Sequence, residues 1–353
     1  MKKLRIGFAS TAGIGRKNWK AVFHSGNCVV SAVASREVGR SRQFIEELQR
    51  EFSFPETPRA LGSYQELLAS PEVDAVYVPM PTGMRKDFVI RAAQAGKHIL
   101  CEKPCATSSL ELEEMIAACQ IHSRQFMDGV MFMHNPRMPL IRAALDDGRS
   151  IGKLQRISSA FCFPGGDEFL RHNIRVQREL EPAGCLGDLG WYSLRITLWA
   201  LNWQLPHSVS ATILARSADG TPTEFSAELF FADGVSAGFY CSFLTAKQNW
   251  AFISGRNGSL WMPDFVHPRN GYEPAFELNE QVVRADSGAP CPPGTDPAIP
   301  GHSTAQDTRM FRNFANQIFS GTLNHDWPNW SLKTQIVLDA CLQAGKSGNS
   351  VAL

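Results

Sequence analysis

The first 130 residues alternate short apolar runs with polar, helix-like stretches, and this alternation limits the available folds more than any other feature. Val73 to Val78 runs into Pro79-Met80-Pro81-Thr82. Arg85 to Ala95 is helix-like and is stopped by Gly96, which suits a helix C-terminus. Ile99-Leu100-Cys101 is apolar and is halted by Pro104. Runs that are apolar throughout and end at turn residues read as strands buried on both faces. Their repetition with helices between predicts a doubly wound parallel sheet, an α/β fold. Ligands of such sheets bind in the crevice beyond the carboxyl ends of the strands. The stretch His98-Ile-Leu-Cys-Glu-Lys-Pro104 puts Glu102 and Lys103 there. A partly desolvated ammonium at that place can hydrogen-bond a substrate hydroxyl and tune a neighbour's proton affinity.

Earlier in the chain, Arg5 to Ala9 reads as a strand and Arg16 to His24 as a helix, joined by Ser10-Thr11-Ala12-Gly13-Ile14-Gly15. Amides of such a turn can face a pyrophosphate at the helix N-terminus. The dinucleotide fingerprint G-x-G-x-x-G stands here as Ser10-x-Ala12-x-x-Gly15, with two glycines replaced by other small residues. The second strand, Cys28 to Ala34, ends at Ser35-Arg36. An acidic residue there would select NAD. Ser35 carries no charge, Arg36 can fork onto a phosphate, and Arg40 adds positive potential, so the expected cofactor is NADP, with NAD as the alternative. The loop with Pro79, Pro81 and Thr82 is expected against the nicotinamide half. Gln125 to Met133 reads as a further strand ending at His134-Asn135-Pro136, where His134 and Asn135 are candidate substrate contacts.

A length of 353 residues suggests two domains, drawn at 1–130 and 131–353. A net charge of +1 points to neither nucleic acid nor an anionic membrane. No apolar run approaches the roughly 20 residues of a membrane span. The chain enters its first strand directly, which predicts a cytoplasmic protein. The nine cysteines are scattered without metal-ligand spacing, so no metal is expected and most read as small buried hydrophobes.

In the carboxyl-terminal half, Leu154 to Phe163 reads as a strand. Residues 167–187 show no clear periodicity and carry Arg175, a candidate for substrate binding or for an ion pair. Gly184-Cys-Leu-Gly-Asp188-Leu-Gly-Trp-Tyr192 opens an apolar helix running to Leu201. Asp188 and Tyr192, four apart, share a face of that helix. Segments 208–216, 224–231, 235–243 and 250–254 alternate, with turns at Asp219-Gly220, Asp233-Gly234 and Asn257-Gly258, and predict an antiparallel sheet. Its open face predicts a homodimer or a dimer of dimers. Residues 286–302, rich in Pro and Gly, read as a loop, with helices at 304–319 and 331–342 returning to the first domain. Trp327 and Trp330 read as packing anchors.

Taken in order, RIGFASTAGIG, VASR, YVPMPT, GKHILCEKP and MDGVMFMHNPR resemble the glucose–fructose oxidoreductase and inositol dehydrogenase family, Gfo/Idh/MocA, and within it the dihydrodiol dehydrogenase and NADP-dependent xylose dehydrogenase branch. The resemblance implies a Rossmann domain followed by an α/β domain with a large, mostly antiparallel open sheet. It implies that Lys103 is the active-site lysine, and the Lys103–Pro104 peptide is often cis in such proteins. It also implies that Asp188 and Tyr192 stand in a D-x-G-x-H signature with Tyr192 in the histidine's place. The expected activity is hydride transfer between a nicotinamide cofactor and a hydroxyl carbon of a sugar, cyclic polyol or dihydrodiol. Tyr192 would serve as acid/base, helped by Lys103, with Asp188 as an orienting group. A free tyrosine ionises near pH 10, so it needs a neighbouring cation to work at neutral pH. The alternative is a dinucleotide-binding regulatory protein without turnover. The altered glycine turn keeps that alternative open, and the presence of Lys103 with Tyr192 opposes it.

Overall fold

The computed structural model describes residues 2–268, 275–285 and 305–353. They form two compact units. The loop expected at 286–302 lies outside the described residues.

The first unit comprises residues 2–105, 110–135 and 305–329. Its strands are β1 (Leu4–Phe8), β2 (Cys28–Ala34), β3 (Arg59–Leu61), β4 (Ala75–Val78), β5 (His98–Cys101) and β6 (Phe126–Asp128). They alternate with α1 (Gly13–Ser25), α2 (Val38–Gln49), α3 (Tyr64–Ala69), α4 (Arg85–Gln94) and α5 (Ser109–Ile121). The sheet order is β3-β2-β1-β4-β5-β6, and every pairing is parallel. The order reverses between β1 and β4, which is where a doubly wound sheet opens its ligand crevice. β4 and β5 are apolar because helices cover both faces: of their eight residues, all but His98 are buried. Trp19 of α1, fully buried, packs on Phe8 and Phe54 and fixes that helix to the sheet. Gly96 takes φ +77° just beyond α4, as its C-terminal role requires.

One expectation needs correcting. Residues 125–133 do not form one strand. β6 stops at Asp128, and Met131–His134 is a 3-10 turn. Gly129 forces the stop. It hydrogen-bonds the Cys101 carbonyl, and a Cβ there would lie 3.2 Å from the Glu102 carboxylate.

His98 gives this unit an acid sensitivity. Its Nδ1 accepts the Gln125 N–H at 2.9 Å, which requires a neutral ring. Burial, aided by Arg124, pushes the imidazole down to about 4. The unfolded chain takes up this proton near pH 6.5. Stability from the neutral ring is therefore present above 6.5 and is lost as pH falls toward 4, flat below that. We expect urea midpoints at pH 4.5 against pH 7 to show a loss of roughly 2 kcal/mol from this group, allowing for its partial exposure. His98→Gln should remove that difference; an unchanged pH slope in the variant would exclude His98 as the cause.

The second unit comprises residues 106–109, 136–268, 275–285 and 330–353. It carries α6 (Arg137–Asp146), β7 (Leu154–Cys162), α7 (Gly166–His172) and a π-helical turn, Leu186–Gly190, that runs into α8 (Trp191–Ala200). β8 (Ser208–Arg216), β9 (Pro222–Phe230), β10 (Ser236–Ser242), β11 (Gln248–Gly255), β12 (Ser259–Met262), β13 (Ala275–Leu278), β14 (Gln281–Arg284) and β15 (Val351–Ala352) follow. In the first unit, α9 spans Gln306–Phe319; α10 (Asp326–Ser347) begins there and continues as part of the second unit. The nine-stranded sheet has the order β14-β13-β12-β11-β7-β10-β9-β8-β15.

The three expected turns close β8–β9, β9–β10 and β11–β12 as antiparallel pairs. Asp233 and Gly234 both take positive φ, as a tight reversal demands. The first strand of this half does not pair with the next in sequence. β7 lies inside the sheet, antiparallel to β11 and parallel to β10. The unperiodic stretch 167–187 holds most of α7 and a 3-10 turn, Ile174–Val176. Trp330 stacks on Trp203 with ring centres 4.7 Å apart, a packing role. Every described cysteine is buried and unbridged. Among the described residues no helix is long and apolar enough to cross a membrane.

Arg137, the first residue of α6, is fully buried and paired with Asp264 at 2.7 Å. It also donates to the carbonyls of Asp264, Phe265 and Ala275. Burial pulls its proton affinity down, and Asp264 opposes the fall. One guanidinium thus ties the chain after β12 to the start of α6.

Candidate active site

The turn between β1 and α1 is compact. The Ser10 hydroxyl accepts the Ala12 N–H at 3.0 Å, and the Ala12 carbonyl accepts the Gly15 N–H at 2.8 Å. α1 has no side-chain cap and no acidic residue in its first turn. A Cβ at Gly13 would meet nothing within 4 Å, whereas one at Gly15 would press on Phe44. Thr11 and Ala12 are half-buried and Ile14 is exposed. An uncapped helix N-terminus under open space fits a dinucleotide pyrophosphate, so Ser10 to Ile14 would hold that group.

At the end of β2, Ser35 is buried. It donates to the Glu37 carbonyl and accepts the Ser41 hydroxyl. Arg36 is exposed. Arg40 pairs with Glu37 at 3.5 Å, an exposed contact of small energetic weight. Ser35 therefore shapes the turn, and Arg36 and Arg40 supply the positive charge suited to a 2′-phosphate.

Beyond β4, Pro79 and Thr82 are buried and Pro81 half-buried, with Thr82 opening a short 3-10 turn. The Thr82 hydroxyl reaches the Pro104 carbonyl at 3.4 Å. Arg85, buried, joins this loop to the one after β5. Its Nε donates to the Met80 carbonyl at 2.7 Å, and its Nη1 donates to the carbonyls of Glu102 and Pro104. Lys103 is thus bracketed by two clamped carbonyls, and the Lys103–Pro104 peptide is cis. The buried Glu102 carboxylate accepts the Tyr77 hydroxyl at 2.7 Å and the Asn18 amide at 3.3 Å. Burial, and then Glu102, hold the Tyr77 phenol well above its ordinary range. Arg85, Tyr77 and Asn18 carry no motif of their own. Their contacts with Glu102 span 17 to 84 residues, so only the fold reveals them.

His134 and Asn135 are both engaged by α9. His134 Nδ1 lies 3.0 Å from the Asn313 amide and its ring meets Trp327 edge-on, while Asn135 donates to Gln306 at 3.1 Å.

In the second unit, Asn173 caps the 3-10 turn that carries Arg175, accepting the Arg175 N–H at 3.0 Å. The Arg175 guanidinium pairs with Asp188 at 3.0 Å. Asp188 first, then Glu181 and Tyr192, hold its proton affinity up against desolvation. Asp188 lies in the π-helical turn, and such turns mark functional positions in many helices. Gly190 has a packing reason: a Cβ there would sit 2.9 Å from Leu186 and 3.3 Å from Phe239. Tyr192 is 5% exposed and its ring packs edge-on against Phe161 at 5.5 Å. Phe161 also meets the His267 ring at 5.8 Å. The structure therefore gathers Arg175, Asp188 and Tyr192 in this unit, and Lys103 with the cofactor-turn residues in the first.

Comparison with known proteins extends over both units. A family profile described as oxidoreductase family, NAD-binding Rossmann fold, matches residues 4–130, and the Gfo/Idh/MocA C-terminal domain matches residues 140–261. The chain is 30% identical over 239 residues to the trans-1,2-dihydrobenzene-1,2-diol dehydrogenase of Mus musculus, spanning 66% of this chain and 68% of that one. It is 28% identical over 338 residues to the dTDP-3,4-didehydro-2,6-dideoxy-alpha-D-glucose 3-reductase of Actinomadura kijaniata, spanning 96% and 94%. A 3-ketoreductase from Actinomadura kijaniata, solved with NADP and TDP-benzene, superposes with a TM-score of 0.81 at 26% identity, covering 97% of this chain and 98% of that one. That ketoreductase has also been solved as a Tyr-to-Phe and as a Lys-to-Ala variant. Both halves match, and the chain belongs to the Gfo/Idh/MocA oxidoreductases, with an NAD(P)-binding first unit.

Proposed function

We propose that the protein is an NADP-dependent oxidoreductase acting at a hydroxyl carbon of a sugar, cyclic polyol or dihydrodiol. The observation that carries this is Lys103, set just past the carboxyl end of β5 between two carbonyls that Arg85 clamps. A bound nicotinamide supplies a hydride acceptor for oxidation or a donor for reduction. The chain's own residues manage the proton. In the oxidative direction Tyr192 oxygen takes the hydroxyl proton as the carbon–hydrogen electron pair leaves carbon and C=O forms; reduction runs the reverse. Lys103 hydrogen-bonds the reacting oxygen and favours the phenolate form of Tyr192. Asp188 orients this group through its charge partner Arg175. Ser10 to Ile14 hold the pyrophosphate, Arg36 and Arg40 the 2′-phosphate, and Pro79, Pro81 and Thr82 shape the nicotinamide side. His134 and Asn135, both held by α9, contact the substrate. A regulatory protein without turnover has no need for a proton-transferring pair, which favours the enzyme.

The open face of the nine-stranded sheet shows Trp250, Phe252 and Trp261 half-exposed and mutually packed. This supports a homodimer, in a cytoplasmic setting that suits the free cysteines. The test is NADPH absorbance against a panel of aldoses, cyclic polyols, dihydrodiols and nucleotide-linked keto sugars, with sedimentation in parallel. Turnover with a carbohydrate or diol is expected. No turnover with any member, in either direction, would overturn the enzymatic reading, and a monomer the dimer.

A further inference from the structure

The ion pair beside Tyr192 has a use beyond holding the segment together. Arg175 stands on a 3-10 turn whose position Asn173 fixes, and its guanidinium reaches Asp188 at 3.0 Å. Asp188 is 14% exposed at its side chain and lies one helical turn before Tyr192 on a continuous helical segment. A carboxylate so placed, left without a cation, opposes ionisation of a nearby phenol. A guanidinium stays charged throughout the working pH range.

We infer that Arg175 is a positioning residue whose guanidinium offsets the Asp188 charge beside the Tyr192 phenol, so that the proton-transferring group works in the neutral range. This rests on the acid/base role proposed for Tyr192. The other ionisable groups facing the cluster are Glu181 on the segment before the π-helical turn, Cys241 on β10 near Asp188, and His267 on the far side of Phe161. Lys103 joins them in the proposed mechanism. Arg175 is a cation in direct contact with Asp188.

The test needs no turnover. Tyrosine Cζ in the full chain is labelled with carbon-13, and the Tyr192 resonance is assigned among the five tyrosines by its loss in Tyr192→Phe. A pH titration then follows ionisation of that one phenol. Arg175→Gln should move the midpoint up by about one pH unit, as expected for one unscreened charge at this range. Arg175→Gln with Asp188→Asn should return it to within a few tenths of the wild-type value. Asp188→Asn alone should move it down, which keeps the test decisive if Arg175→Gln disturbs folding. Arg175→Lys should stay close to wild type. A midpoint indifferent to Arg175→Gln, or an Asp188→Asn shift of zero or upward, overturns the inference. Absence of NADP-linked turnover across the substrate panel would instead strike the proposed function and leave this electrostatic result standing.

Discussion

Tyr192→Phe is expected to lower kcat by about 10²- to 10⁴-fold, the usual weight of a positioned general acid or base. The substitution removes one oxygen and keeps the ring, so the edge-on contact with Phe161 survives and the fold should be unchanged. Dinucleotide binding should also be preserved, because the residues proposed to hold it lie in the first unit. Lys103→Ala should match it in kcat. The pair should be far from additive, since both are proposed to act on one proton transfer. The measurement is steady-state turnover on the best substrate of the panel, with NADPH affinity read separately by fluorescence. A Tyr192→Phe enzyme within threefold of wild type would remove Tyr192 from the proton transfer.

Arg137→Met is expected to cost about 3–5 kcal/mol of stability, the range for breaking a buried pair from one side. The reason is the partner left behind. Asp264 is 5% exposed, and the substitution takes away the guanidinium that lies 2.7 Å from its carboxylate. Three backbone carbonyls lose a donor at the same time. Arg137→Met with Asp264→Leu should recover part of the loss, because an apolar pair has no charge to desolvate. Chemical denaturation of the second unit reads both. A loss under 1 kcal/mol for the single substitution would show that water reaches Asp264 readily. The same clamp holds Phe265, whose ring centre lies 6.5 Å from that of Phe161. KM should therefore rise in the surviving fraction.

Local pattern predicted the first unit well. β5 runs His98–Cys101 and α4 begins at Arg85, as expected, because buried parallel strands are uniformly apolar and proline and glycine mark their ends. The hairpin turns of the second unit were legible for the same reason: the Asp-Gly and Asn-Gly dipeptides tolerate the backbone a reversal needs. Three features escaped. β6 is shorter than its apolar run, since Gly129 must pass close to Glu102. The central place of β7 depends on a parallel partner 80 residues on, and hydrophobic alternation carries no record of partner or direction. The pairing of Arg175 with Asp188, like the clamp of Arg85 on the Lys103 loop, depends on distances across the fold. Residue chemistry alone allowed substrate binding or ion pairing for Arg175. The turn from β1 into α1 was legible by position rather than by motif, and with Ser10 and Ala12 in place of glycine the space above Gly13 stays open.

The location of β7 has a consequence for how the protein is made. Its two neighbours, β10 and β11, are both translated after it, behind β8 and β9. While the ribosome works through that interval, both edges of β7 present open amides and carbonyls, the template for wrong pairing. Closing the distance to a parallel partner is slow compared with zipping a hairpin. A nascent chain halted before Ser236 would therefore hold a strand with no correct neighbour on either side, and fragments cut between Leu154 and Gly255 should aggregate where the whole chain stays dispersed.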